Sequence, residues 1–340
     1  MAHIKAWAAK QAKGKFEPFE YNSGDPGPEQ VDIAVDYCGI CHSDLSMLDN
    51  DWGITTYPFV PGHEAIGRVV ALGYIAKEKG LEIGQRVGVG WNVSSCLHCE
   101  QCLEGNQQLC DSVQPTIIGN HGAFATHVRS HWVWTVPIPE GVELSSAGPL
   151  LCGGITVFAP LLDKDILPTH KVGVVGIGGL GHMAIKFLNA WGCEVTAFTS
   201  SAKKYEEAHA LGAHKAFSST NTEEMKKQAG TLDFVIISAN VSLDWDQIIG
   251  LLKPGGKLHF VGAVLEPVPV HVMGLLLGKK SLSGSPTGSR SQIDKMLQFA
   301  AHHKITPQVE FFPMSKVNDA MDHLRAGKAN YRIVLEADFA

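Results

Sequence analysis

Four cysteines, Cys96, Cys99, Cys102 and Cys110, follow one another at spacings of 3, 3 and 8 residues. Thiolates packed that densely can close a tetrahedral all-sulfur zinc site in one loop. Such a site has no open coordination position, so the zinc it predicts is structural. Bacterial iron–sulfur proteins begin with the same C-x2-C-x2-C run. Here the fourth cysteine comes after seven residues and Asp111, not proline, follows it.

Cys38-Gly-Ile-Cys41 has the spacing of a redox dithiol. His42, Ser43 and Asp44 come directly after it, however, and Gly62-His63-Glu64 lies about twenty residues on. One thiolate, one imidazole and a later thiolate would instead make the open three-ligand site of a catalytic zinc. Cys152, in the apolar stretch Leu150-Leu-Cys-Gly-Gly-Ile155, is the candidate third ligand. A buried core thiol is the alternative for it, and spacing alone does not set it beside Cys41.

Gly176-Ile-Gly178-Gly179-Leu180-Gly181 closes a continuous apolar run and opens a helical pattern, the setting of a dinucleotide fingerprint. The first glycine makes the turn, the second admits the pyrophosphate, and the helix N-terminus offers it free N–H groups. About twenty residues on, where a carboxylate would bind a ribose 2′-hydroxyl, stand Thr199, Ser200, Ser201, Lys203 and Lys204. Hydroxyls and cations there favour a 2′-phosphate, hence NADP(H). Helix capping by Ser200 or Ser201 is the competing reading.

Two kinds of segment must position these groups. Up to about residue 150 the chain is rich in Gly, Pro, Cys and His, with short β-type runs at 31–37, 67–72, 86–89, 125–128 and 132–136. That texture predicts an irregular, mostly antiparallel β domain. From residue 171 apolar runs at 171–177, 194–198, 215–217, 234–237 and 257–262 alternate with helical patterns, among them 180–191 and 203–211. Buried strands alternating with helices predict an α/β, doubly wound parallel sheet. The tail beyond 291 holds two helical patterns and a strand-like 331–335 that extends the sheet or returns to the first domain.

With 340 residues the chain has room for about two domains. Lys plus Arg number 28 against 34 Asp plus Glu, a net charge of −6, with no basic stretch, so nucleic acid is not an expected partner. No apolar run approaches the roughly 20 residues of a membrane helix, and the N-terminus lacks a signal-type apolar core. The expected compartment is the cytoplasm, where clustered thiols act as metal ligands or catalysts.

Taken in order, Cys41-His-Ser-Asp44, Gly62-His-Glu64, the four-cysteine loop, Leu151-Cys-Gly-Gly-Ile-Thr156 and Gly176-Ile-Gly-Gly-Leu-Gly-His182 resemble the zinc-dependent medium-chain alcohol dehydrogenases. The wording of the first and last motifs is similar to the cinnamyl-alcohol-dehydrogenase branch. Val87-Gly-Val-Gly-Trp91 and Phe312-Pro-Met-Ser-Lys316 resemble its bacterial NADPH-dependent aldehyde reductases. The resemblance implies a GroES-like catalytic domain of residues 1–150 with 287–340 and a Rossmann NADP-binding domain of residues 151–286. It implies two zinc ions per chain, a catalytic one on Cys41, His63 and Cys152 and a structural one on the cysteine loop. Glu64 would be a carboxylate beside the catalytic metal, and Asp44 would orient His63. Ser43 would relay the alcohol proton and His42 would sit near the pyrophosphate. Thr156, Ser238, Gly262, Ser285 and Thr287 would touch the cofactor, and Arg332 a phosphate. Trp52 and Trp91 would line the substrate slot, with core packing as the alternative. Many relatives carry a relay histidine where this chain has Ser46, which leaves water as the outer end of the proton path.

The function so implied is reversible reduction of aliphatic and aromatic aldehydes to primary alcohols with NADPH. A dedicated aromatic alcohol dehydrogenase and a zinc-stabilised NADP-binding protein without activity are the alternatives. A homodimer joined near residues 281–285 is the implied assembly.

Overall fold

The computed structural model describes residues 3–339. The chain divides into two compact units, Met1–Ile155 with Gly288–Ala340, and Thr156–Thr287. The first unit is therefore discontinuous.

The second unit is built on a six-stranded parallel sheet. Its order is Lys215–Ser218, Glu194–Thr199, Lys171–Val175, Leu232–Ile237, Leu252–Phe260, Ser281–Gly284. In chain order these are strands 3-2-1-4-5-6, the arrangement whose reversal point receives a dinucleotide outside the carboxyl ends of the strands. The central strands are buried on both faces: Val172, Val174, Phe198, Val235 and Ile237 are all at most 1% exposed. Double burial is why they read as uninterrupted apolar runs in the sequence.

The first unit centres on Gln30–Ile40, which pairs antiparallel with Ala65–Leu72, His127–His131 and Arg332–Glu336. The last strand runs parallel to Val309–Pro313, so the C-terminal segment completes this unit and does not extend the parallel sheet. Ile33, Val69, Phe124 and Ile333 pack in its core. Two local readings change. Within 132–136, Trp132–Trp134 form a 3-10 turn, because His131 Nδ1 accepts from Val133 N–H at 3.1 Å and bends the chain out of the ladder, and only Val136, with Pro137, is a strand, paired with Arg86–Val89. The chain also opens with an unforeseen hairpin, His3–Ala9 with Phe16–Asn22. Among the described residues no single helix is long and apolar enough to cross a membrane.

Candidate active site and metal centres

Cys41 ends the turn from the Gln30–Ile40 strand and caps the helix His42–Asp49. Its backbone N–H donates to Asp44 Oδ2 at 2.9 Å, which fixes both residues at the helix entrance. Asp44 is fully buried, and its other oxygen accepts from Gly62 N–H at 2.9 Å and lies 3.1 Å from His63 Nδ1. A carboxylate only accepts, so Nδ1 carries a hydrogen, which leaves Nε2 as the nitrogen that can bind a metal. Nε2 is 3.3 Å from Cys152 Sγ, and that sulfur is 3.9 Å from Cys41 Sγ. Gly62 has φ +100°, and a Cβ there would strike Phe124 and Cys38 Sγ, so the turn that delivers His63 needs glycine.

Donor atoms of Cys41, His63, Glu64 and Cys152 all lie within 4.8 Å of one another. A tetrahedral zinc with bonds of about 2.3 Å to sulfur and 2.0 Å to nitrogen spaces its ligand atoms by roughly 3.5–3.8 Å, close to what is found. Glu64 Oε2 is buried without a hydrogen-bond partner. Electrostatics agree with the geometry. The hydrogen bond from Cys152, with Arg332 and His63 nearby, pulls the Cys41 thiol well below its usual range and pushes Cys152 up. Burial opposes charge on His63, yet Asp44 and Cys41 hold its pKa well above the ordinary imidazole value. Burial raises Glu64 against the pull of Arg332. The donor set suits a soft divalent cation, which displaces the protons that otherwise keep such a cluster neutral.

Arg332 stands beside this cluster and adds to its electrostatics. It is only 5% exposed, and its guanidinium is paired with Glu64 Oε1. Its Nε is buried without a hydrogen-bond partner. The pair joins positions 268 residues apart, and no local pattern in the chain announces it.

The cysteine loop forms a second cluster, with the four sulfurs within 4.8 Å and Cys96 and Cys102 at 3.9 Å. Cys99 N–H donates to Cys96 Sγ at 3.3 Å, Cys96 N–H to Cys110 Sγ at 3.4 Å and Ser112 N–H to the same sulfur at 3.3 Å. Backbone N–H groups of His98 and Cys99 lower the Cys96 pKa to about 6, whereas burial pushes Cys102 up to about 12. All eight cysteines are free thiols.

Trp91 stands edge-on against His63, ring centroids 4.8 Å apart, and Trp52 makes an edge contact with Trp91 at 6.1 Å. Both indoles are half-buried. Ser43 Oγ is 3.7 Å from Cys41 Sγ, Ser46 is buried, and His42 is exposed.

In the second unit the glycine turn follows Lys171–Val175 and leads into the helix Gly181–Trp191. Gly176 has φ +92°. A Cβ on Gly181 would lie 2.0 Å from Gly176 O, whereas one on Gly178 would meet open space. Gly179 and Leu180 complete the turn. Ser238 Oγ donates to Gly176 O at 2.7 Å and braces it. Thr199 is 4% exposed, and its hydroxyl accepts from Ser201 N–H at 3.3 Å. Ser200 is exposed, and Ser201 precedes the turn Ala202–Lys204 without a side-chain cap, so the capping alternative is not realised. Lys204 Nζ donates to Ile177 O at 2.7 Å, which sets a cation at the glycine turn. Gly262 follows Leu252–Phe260 and Ser285 follows Ser281–Gly284. Gly176, Thr199, Ser238, Gly262 and Ser285 thus share the carboxyl edge of the sheet. Thr156 and Thr287 lie at the two ends of the unit.

Comparison with known proteins agrees with this geometry. Residues 27–140 match the alcohol dehydrogenase GroES-like domain and residues 179–302 the zinc-binding dehydrogenase family. The chain is 51% identical over 332 residues to the aldehyde reductase AdhA of Synechocystis sp., covering 98% of each. It superposes on a cinnamyl alcohol dehydrogenase of Sorghum bicolor with TM-score 0.94 at 35% identity, covering 98% of both chains. A CAD from Helicobacter pylori, solved in complex with NADP(H), gives TM-score 0.90 at 30% identity over 98% of both chains.

Proposed function

The chain belongs to the zinc-binding alcohol dehydrogenases with a GroES-like domain, and from that membership we propose that it reduces aldehydes to primary alcohols with NADPH, reversibly and across aliphatic and aromatic substrates. The observation that carries this reading is the convergence of Cys41, His63 and Cys152 beside the Trp91 ring. A protein that only bound NADP would have no use for a metal-donor cluster next to an apolar slot.

When bound, zinc supplies a Lewis acid for the aldehyde oxygen and NADPH supplies the hydride. The remaining tasks fall to the chain. Cys41, His63 and Cys152 hold the metal, Asp44 keeps the His63 Nε2 lone pair turned toward it, and Glu64 is the adjoining carboxylate. Ser43 passes a proton to the nascent alcohol through its Oγ, with His42 next to it in the chain. Trp52 and Trp91 exclude water and accept an apolar substrate body, which fits the aromatic substrates in the names of the cinnamyl alcohol dehydrogenases as well as aliphatic ones. Gly176, Gly178, Gly179, Leu180 and Gly181 receive the pyrophosphate, with Ser200, Ser201 and Lys204 at the 2′-phosphate.

The cysteine loop takes the second zinc, giving two per chain. Residues 1–150 with 287–340 serve as the catalytic domain and 151–286 as the cofactor domain. Assembly as a homodimer is supported by the outer strand Ser281–Gly284 and the preceding helix Val272–Gly278, on which Val272, Met273, Leu276 and Leu277 are 60–84% exposed. An unpaired strand edge beside an apolar patch is a surface that natural proteins cover. Eight free thiols fit the reducing cytoplasm. The test is NADPH oxidation with short, medium and aromatic aldehydes, with NADH as control. Turnover confined to aromatic aldehydes would establish the narrower activity, and no turnover with any aldehyde would refute the reading.

A further inference from the structure

One buried imidazole at the carboxyl edge of the parallel sheet belongs to none of the sites above. His259, fully buried on the Leu252–Phe260 strand, pairs in register with Ser283 of the outer strand. Its Nδ1 is 2.8 Å from Ser283 Oγ and its Nε2 is 2.8 Å from Ser285 Oγ. Burial, reinforced by Lys164, lowers its pKa to about 4. The ring is therefore neutral, donating from one nitrogen and accepting at the other. The Ser283 hydroxyl has a carbonyl to donate to, Leu258 O at 3.5 Å, so it can accept from Nδ1–H and pass its own hydrogen onward. Nε2 is then the acceptor, and Ser285 donates to it. With its hydrogen committed inward, Ser285 offers only lone pairs at the end of the strand.

Strand order says what meets those lone pairs. The glycine turn follows the Lys171–Val175 strand, Thr199 ends the neighbour on one side, and Ser285 follows the outer strand on the other. From turn to Ser285 is three inter-strand spacings, about 14 Å. With the pyrophosphate on the glycine turn and the adenosine ribose at residues 199–201, the nicotinamide half extends toward Ser285. That half carries one N–H donor group, the carboxamide NH2.

Resting on the NADP(H) reading above, we propose that His259 is a positioning residue for the nicotinamide: through Ser285 it fixes a hydrogen-bond acceptor for the carboxamide NH2. Calorimetry on the zinc-loaded enzyme tests this with three ligands. They are NADP+, its 3-acetylpyridine analogue, in which a methyl replaces the NH2, and 2′,5′-ADP, which carries only the adenosine half. The unmodified chain should bind NADP+ roughly three- to tenfold tighter than the analogue, the size of one neutral hydrogen bond. His259→Phe and Ser285→Ala should bring that ratio to about one. His259→Gln, whose amide oxygen can still accept from Ser285, should keep most of it. Affinity for 2′,5′-ADP should stay the same throughout. A ratio near one in the unmodified chain, or one that His259→Phe leaves intact, overturns the proposal. So does loss of 2′,5′-ADP binding in every His259 variant, because the residue would then support the unit as a whole. An unmodified chain that binds neither NADP+ nor 2′,5′-ADP overturns the cofactor reading itself.

Discussion

Glu64 divides its carboxylate: Oε1 pairs with Arg332, and Oε2 is buried without a hydrogen-bond partner. Burial on this scale makes the pair costly to break, because removing one member leaves a charge with neither water nor counter-ion. Arg332→Met should destabilise the protein by about 3–5 kcal/mol, read from urea unfolding. Adding Glu64→Gln to that variant should recover much of the loss. If Arg332→Met unfolds at the same urea concentration as the parent, the pair is not the anchor argued here.

The two cysteine clusters should respond differently to loss of a ligand. Metal analysis is expected to give two zinc ions per chain, falling to one in either single-site variant. Cys99→Ser should lower the melting temperature or solubility, since a structural zinc contributes folding free energy directly. Cys152→Ser should abolish turnover with the circular dichroism spectrum and most of the stability retained.

Ser43→Ala should reduce turnover by roughly 10²–10⁴, the usual contribution of a positioned proton donor, at unchanged zinc content. Ser46 is buried, and Ser46→Ala should cost far less if water completes the path. Comparable losses at both would make Ser46 an obligatory member of the relay.

Cofactor preference should rest on Ser200, Ser201 and Lys204. One or two charged hydrogen bonds at about 1.5–3 kcal/mol each, weakened by salt at an exposed site, favour NADPH over NADH by roughly 10²-fold. Lys204→Ala should raise KM for NADPH and leave KM for NADH nearly unchanged. Ser200→Asp, at an exposed position beside buried Thr199, should repel the 2′-phosphate and cancel or invert the preference. Equal kcat/KM for both cofactors in the parent enzyme would refute this assignment.

Leu276→Glu with Leu277→Glu, on the exposed face of the Val272–Gly278 helix, should convert a dimer to monomers in light scattering. A parent chain that is already monomeric would refute the proposed assembly.

What could be read from the sequence depended on how local the determinants are. The parallel strands were legible because burial on both faces leaves no polar interruption, as in Val172–Val175 and Phe234–Ile237. The first hairpin was not, because Pro18 breaks the β pattern of its second strand while lying opposite Trp7. The strand pattern at 132–136 misled over its first three residues because His131 caps a turn there, a contact that apolar periodicity does not record. The cysteine loop announces itself through spacing alone. Nothing in spacing brings Cys152 to Cys41 across 111 residues, or Arg332 to Glu64 across 268. The second of those meetings depends on the Arg332–Glu336 strand returning to pair with Gln30–Ile40.

Because the first unit is interrupted by the second, it cannot be finished in the order in which it is translated. On a ribosome adding about 5–20 residues per second, Glu64 emerges roughly ten seconds to a minute before Arg332. Through that interval the whole segment Thr156–Thr287 is made and free to fold, while the strand that carries the guanidinium does not yet exist. A nascent chain stalled before Arg332 therefore holds Cys41, His63 and Cys152 without the counter-charge to Glu64.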